Sequence, residues 1–232
     1  VPLAEDSVPG RAEHASFVWS GGTVSGLWDH PATRETYLVL GHGAGGNLNT
    51  PGLANVAAAL AAGGIGAVRF NFPYAEARRR VPDPQRTLEA CYQAVAEHVA
   101  GQIRGRASRL LLGGRSMGGR IASHVVANGF PAHGLVFLSY PLHPPGKPER
   151  LRDAHLGEIR SPMLFVQGSR DPFATPDLLR ATVRRLESAT LHVLENGDHG
   201  LKVRGRTDVD VTGEIVGVIG AWLRGLAAHP LP

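Results

Sequence analysis

Short apolar runs alternate along this chain with longer stretches in which apolar residues recur every three or four positions. The runs predict buried strands at residues 37–40, 65–70, 110–112, 134–138, 163–167 and 190–194. The stretches between and after them predict helices at residues 53–62, 85–103, 120–128, 176–186 and 213–225. In the longest, Leu88, Cys91, Tyr92, Val95 and Val99 fall on one face. Ahead of these, residues 15–19 and 23–28 flank Gly21-Gly22 as an antiparallel β-hairpin would. Strands that are apolar throughout and alternate with helices predict an α/β fold. Its central sheet should be mostly parallel and covered by helices on both faces, with the hairpin added antiparallel. No linker, repeat or low-complexity tract interrupts the pattern. One domain is expected over residues 15–228, preceded by a mobile arm over 1–14.

Composition narrows the class. The chain has 232 residues, 43% hydrophobic and 19% charged, which suits a globular protein with a sizeable core. No apolar run approaches the ~20 residues of a membrane span. The 24 basic residues exceed the 20 acidic ones by only four, so no nucleic-acid or membrane partner is read from charge. The lone Cys91 excludes an intramolecular disulfide and sits on an apolar helix face, a core position; a cytoplasmic setting is the expectation. The first fifteen residues lack the apolar centre of a signal peptide.

The strand at 110–112 runs into Gly113-Gly114-Arg115-Ser116-Met117-Gly118-Gly119, and a helical pattern follows. Gly114, Ser116 and Gly118 make a Gly-x-Ser-x-Gly turn. It presents a serine at a sharp apex, where strand and helix come too close for side chains on the flanking residues. A serine hydroxyl needs a base, and the base needs an orienting group. Chemistry in parallel sheets gathers beyond the strands' carboxyl ends. There lie Asp171, in Gln167-Gly168-Ser169-Arg170-Asp171-Pro172, and His199, in Asn196-Gly197-Asp198-His199-Gly200. Ser116, Asp171 and His199 are the expected catalytic group. Asp198, the rival acid, reads as a turn residue, and His192 as packed within a strand. Backbone N–H groups of Ala44 and Met117 are the expected oxyanion hole. They lie in the glycine-rich loop after the strand at 37–40 and at the start of the helix after Ser116. His42 is read as a prop for that loop. The chain has no phosphate-loop signature and no metal motif, so neither cofactor nor metal is expected. Arg78, Arg79, Arg80, Arg115, Arg170 and Lys147 fall at the strand-end face, as a solvated rim or an attractor for anionic substrates. Arg115 is expected to support the site through ion pairs.

From about residue 37 to 226 the chain resembles the α/β-hydrolase superfamily. Within it, the sequence looks like the small hydrolases related to testis-expressed protein 30, with dienelactone-hydrolase-like proteins more distant. The segments that carry this are His42-Gly43-Ala44-Gly45-Gly46-Asn47, Arg69-Phe70-Asn71-Phe72-Pro73-Tyr74, Gly113 to Arg120, Tyr140-Pro141-Leu142, Pro144-Pro145-Gly146-Lys147-Pro148, and Gln167 to Phe173. The resemblance implies the α/β-hydrolase fold and a serine mechanism but names no substrate. Dienelactone hydrolases use cysteine where Ser116 stands, which argues against that activity.

Between the strands at 134–138 and 163–167 there is no room for a large cap domain. An open site for a small-molecule ester with a short acyl group is therefore expected, lined by Phe72, Tyr74, Met117, Tyr140, Leu142 and Phe173. The same residues suit amide, peptide or thioester cleavage equally, and a non-catalytic interaction module built on the fold is the reading from another class.

Overall fold

A computed structural model describes residues 12–32, 36–105 and 109–227. Eight strands form one sheet: β1 (Ala12–Trp19), β2 (Gly22–Asp29), β3 (Thr36–Gly41), β4 (Gly66–Phe70), β5 (Arg109–Arg115), β6 (Gly134–Leu138), β7 (Met163–Gly168) and β8 (Ala189–Leu194). Their spatial order is β1-β2-β4-β3-β5-β6-β7-β8. The β1–β2 and β2–β4 pairs are antiparallel and every other pair is parallel. This is the mostly parallel α/β-hydrolase fold with an N-terminal antiparallel hairpin, and among the described residues no lid is inserted between its strands. β1 begins at Ala12, inside the stretch expected to be an arm; residues 1–11 of that stretch and residue 228 lie outside the described residues.

Period-two alternation divides the core. From β3 and β5–β7, Tyr37, Val39, Leu110, Leu112, Leu135, Phe137, Met163 and Phe165 face one side. Leu38, Leu40, Leu111, Val136, Leu138, Leu164 and Val166 face the other. Helices α3 (Gln85–Ile103), α4 (Met117–Ala127) and α5 (Pro176–Arg184) cover the first side. Helices α1 (Pro51–Ala62) and α6 (Asp208–Ala227) cover the second. Each large apolar side chain so enclosed contributes roughly 1.5–3 kcal/mol. A four-residue helix, α2 (Pro73–Glu76), follows β4.

Local chemistry sets the helix ends. Gly64 takes φ +89°, which lets Ile65 N–H reach the Leu60 carbonyl and Gly64 N–H the Ala61 carbonyl, closing α1. α6 starts five residues before the expected Gly213, because Thr207 and Asp210 form a reciprocal capping pair. Asp210 N–H donates to Thr207 Oγ1 at 3.1 Å and Thr207 N–H to Asp210 Oδ2 at 3.3 Å.

The chain runs from β3 through α1 to β4, then crosses through α3 to β5 on the opposite side of β3. The strand order thus reverses at β3 and β5, and a crevice opens beyond their carboxyl ends. The β6–β7 connection carries only a 3-10 helix, Ala154–Glu158, and sends Tyr140, Leu142, Leu156 and Ile159 into the core.

Candidate active site

Ser116 occupies the turn between β5 and α4 at φ 51°, ψ −116°. A non-glycine residue pays strain there, and the surroundings enforce it. Ser116 N–H donates to the Leu138 carbonyl at 2.9 Å, and Arg120 N–H to the Ser116 carbonyl at 3.1 Å. Gly114 and Gly118 both press against Gly41 at the end of β3.

Two further strand ends meet this turn. Asp171 follows β7 and is 3% exposed; His199 follows β8. His199 Nε2 lies 2.9 Å from Ser116 Oγ, and its Nδ1 lies 2.7 Å from Asp171 Oδ2. Asp171 is itself held. Phe173 N–H donates to its Oδ1 at 2.8 Å and Gln167 Nε2 to its Oδ2 at 2.5 Å. A carboxylate accepting these bonds keeps Nδ1 of His199 as the protonated nitrogen and frees Nε2 to accept from serine. Asp198, by contrast, is exposed and closes a turn, taking Lys202 N–H at 2.9 Å.

The loop after β3 stands opposite. A Cβ placed on Gly43 would be 3.6 Å from Ser116 Cβ. Gly43, Ala44, Gly45, Gly46 and Thr50 line a cleft of about 440 Å³ with Arg115, Ser116, Phe173 and His199. Among the described residues no partner takes the N–H of Ala44 or Met117. His42 is fully buried and anchors the loop. Its Nε2 accepts Phe72 N–H at 3.1 Å, so Nδ1 carries the proton and donates to the Gly43 carbonyl at 2.9 Å. Burial pulls the His42 pKa down to about 4, which keeps the ring neutral. Below it, Arg69 grips Asp29 through Nε at 2.9 Å and Nη2 at 3.2 Å and gives Nη1 to the Leu48 carbonyl at 2.7 Å, tying the same loop to β2.

The expected pocket is largely a core. Phe72, Tyr74, Tyr140 and Leu142 are fully buried, and none lines the cleft. Phe72 packs edge-on against His42 at 5.0 Å, and Tyr74 donates its hydroxyl to the Gly43 carbonyl at 3.2 Å. Tyr140 donates to the Arg152 carbonyl at 3.0 Å. Large apolar rings at strand ends turned inward, where burial favours them, and they shape the loops from behind. Met117 packs partly against the core. Phe173 alone of that group lines the cleft, its ring 4.3 Å from that of His199. Of the six basic residues, Arg115 alone lines the cleft. The ion pairs expected of it are absent among the described residues, and its Nη2 donates to the His199 carbonyl at 3.4 Å. Arg79 is spent on Asp83 at 2.6 Å. His192 stands in β8 as expected, paired in register with Val166, but its side chain is half-buried rather than packed, with Nε2 2.7 Å from Glu214 Oε1.

Two supports escaped the sequence reading. Gln167, quoted only as part of a motif, bonds Asp171 from four residues upstream. His143 is 2% exposed and clamps the loop of Asp171: its Nε2 accepts Thr175 N–H at 3.2 Å, and its backbone N–H donates to the Phe173 carbonyl at 2.9 Å. Position at the end of β6 was the one signal for it.

No described helix is long and apolar enough to cross a membrane. Among the described residues no group of three or more His, Cys, Asp or Glu could hold a metal ion.

Residues 34–223 match the family described as Alpha/beta hydrolase domain. A serine hydrolase of Xanthomonas campestris without a lid superposes with a TM-score of 0.72 at 23% identity, over 93% of this chain and 96% of its own. The dienelactone hydrolase of Anabaena variabilis gives 0.73 at 15% identity, over 93% and 97%. An esterase of Pyrococcus furiosus gives 0.75 at 14% identity, over 97% and 96%.

Proposed function

Because the chain belongs to the Alpha/beta hydrolase domain family, we propose that it is a serine hydrolase that cleaves esters of small acyl groups through Ser116, His199 and Asp171. One observation carries the reading: the unbroken hydrogen-bonded line from Asp171 through His199 to Ser116, at 2.7 and 2.9 Å, ending in an open cleft.

In the first half-reaction His199 Nε2 takes the Ser116 hydroxyl proton while Oγ attacks the ester carbonyl. The carbonyl oxygen gathers negative charge, and the N–H groups of Ala44 and Met117 receive it; Met117 begins α4, where the helix dipole adds to the effect. Asp171 orients the ring through Nδ1 and stabilises its charged form. The protonated His199 then gives its proton to the departing alcohol, leaving the acyl group on Ser116. In the second half-reaction His199 takes a proton from water, whose oxygen attacks the acyl carbon. The proton returns to Ser116 as the acid leaves. No cofactor enters either step.

The absence of a lid suits small, freely exchanging substrates. The likeness to an esterase of Pyrococcus furiosus supports the ester reading at the level of fold. The test is labelling with a fluorophosphonate probe, together with turnover of 4-nitrophenyl acetate and butyrate, by this protein and by Ser116→Ala. Labelling and turnover that both vanish in Ser116→Ala are expected. No labelling of the unsubstituted protein, or turnover that survives the substitution, would overturn the reading.

A further inference from the structure

Arg115 also borders a space next to the Ser116 cleft. A second cavity of about 230 Å³ opens on the far side of that side chain, between α1, α6 and the loop after His199. Thr50 and Arg115 line both cavities. The floor of the second is apolar, formed by the buried Val56, Leu138, Leu201, Val211 and Ile215. Its charged lining is Arg115, the exposed Lys202 and the exposed Asp208.

Arg115 is poised between the two spaces. Its Nη1 lies 3.8 Å from the position a Cβ would take on Gly52, and its Nη2 3.6 Å from that position on Gly200; neither residue has a side chain to displace the guanidinium. A guanidinium carries five N–H donors and stays charged at any working pH. The His199 carbonyl takes one at 3.4 Å, and among the described residues nothing else bonds or pairs with it. Lys202 likewise has no ion-pair partner among the described residues. Arg115 and Lys202 thus stand above the apolar floor without ion-pair partners; of the carboxylates nearby, Asp208 lines the cavity, and Asp198, whose Oδ1 lies 2.9 Å from the Cβ position on Gly200, has that oxygen taken by Lys202 N–H.

We propose that this second cavity is the acyl subsite of the same active site and that Arg115 selects acyl groups ending in a carboxylate. The substrate class is a half-ester of a short dicarboxylic acid: the carbon chain lies on the apolar floor, and the free carboxylate meets Arg115, with Lys202 adding to the field. The acyl part remains on Ser116 through both half-reactions, so a subsite that adjoins the cleft at Thr50 and Arg115 serves it. The alcohol leaves after the first. This assignment rests on the hydrolase reading above.

The experiment pairs 4-nitrophenyl hydrogen glutarate with its neutral methyl ester on the unsubstituted protein, Arg115→Gln and Arg115→Lys. The unsubstituted protein is expected to favour the anionic ester in kcat/KM. Arg115→Gln should cut kcat/KM for that ester by about 10- to 100-fold, the worth of a lost charge-assisted hydrogen bond, chiefly through KM. The loss on the neutral ester should be several-fold smaller, Arg115→Lys should restore part of the preference, and salt at about 0.5 M should weaken it. Equal losses on both esters would make Arg115 a support of the His199 backbone and overturn the assignment, as would an unaltered preference. Calorimetric titration of Ser116→Ala with glutarate separates the two levels. Saturable binding that Arg115→Gln abolishes, in a protein that takes no fluorophosphonate label, keeps the subsite and removes the hydrolase reading. Labelling and neutral-ester turnover with no Arg115-dependent glutarate binding does the reverse.

Discussion

A Cβ on Gly118 would stand 2.1 Å from the carbonyl oxygen of Gly41, so the helix after Ser116 rests directly on the last peptide of β3. On Gly114 it would stand 2.3 Å from the same oxygen. The serine is presented because two backbones touch where no side chain intervenes. Gly118→Ala must push α4 and β3 apart, and a loss of about 3 kcal/mol is expected together with a collapse of Ser116 reactivity. Gly217→Ala, on an exposed face of α6 with nothing within 4 Å, should instead gain about 0.5–1 kcal/mol. Urea unfolding of the pair reads both signs in one experiment.

Asp171→Asn keeps the shape of the acid and removes its charge. The same Oδ2 accepts from both His199 and Gln167, so an amide NH2 turned to that side would face two donors. Turnover should fall roughly 1,000- to 10,000-fold with the fold intact by circular dichroism. A loss under tenfold would remove Asp171 from the mechanism and bring Asp198 back.

Tyr92 joins α3 to the base of the serine turn. Its buried hydroxyl lies 2.8 Å from the Val39 carbonyl and 2.7 Å from the Gly113 carbonyl, and it accepts Gly113 N–H at 2.9 Å. Burial pushes its pKa well above the usual phenol range. Tyr92→Phe strands the Gly113 N–H between β3 and β5, and a cost of about 1–3 kcal/mol is expected in denaturant unfolding. An unchanged midpoint would mean that the backbone finds another partner.

His155 links stability to pH. Its Nε2 lies 2.7 Å from Ser123 Oγ, and its ring stacks on His124 at 3.6 Å. Burial first, then the neighbouring His124 and Arg120, lower its pKa from 6.5 to about 3. The unfolded chain therefore binds this proton at a higher pH than the folded one. Stability is unaffected by this group above about pH 6.5 and declines as pH falls from there towards 3. Unfolding free energies between pH 7 and 4 should drop less steeply for His155→Gln than for the unsubstituted protein; parallel curves would contradict this.

Most strands and every long helix were legible because each carries its own period. β6 and α3 match their expected spans, since glycine, proline or a polar break marks both ends. The start of α6 was not, because its signal is a side-chain exchange between Thr207 and Asp210 rather than an apolar rhythm. Ser116, Asp171 and His199 were readable from type and place at strand ends, and the structure sets them within hydrogen-bond reach of one another. The pocket was not readable. Whether an aromatic residue at a strand end turns towards solvent or core depends on packing from other elements, as Phe72 against His42 shows. The cavity beyond Arg115 has walls from α1, α6 and the loop after β8, which no local pattern brings together.

The bond between Ser116 and His199 spans 83 positions of sequence. During synthesis Ser116 leaves the ribosome well before His199, and β7 and β8 must both dock before the serine hydroxyl gains this hydrogen-bond partner. A nascent or truncated chain ending before His199 can carry the strand, the turn and the helix, but its hydroxyl is no more reactive than any other serine's. On the proposed mechanism, chemistry is thereby withheld until the last strands are in place, and a protease cut in the β7–β8 region is expected to silence the proposed activity while much of the sheet survives.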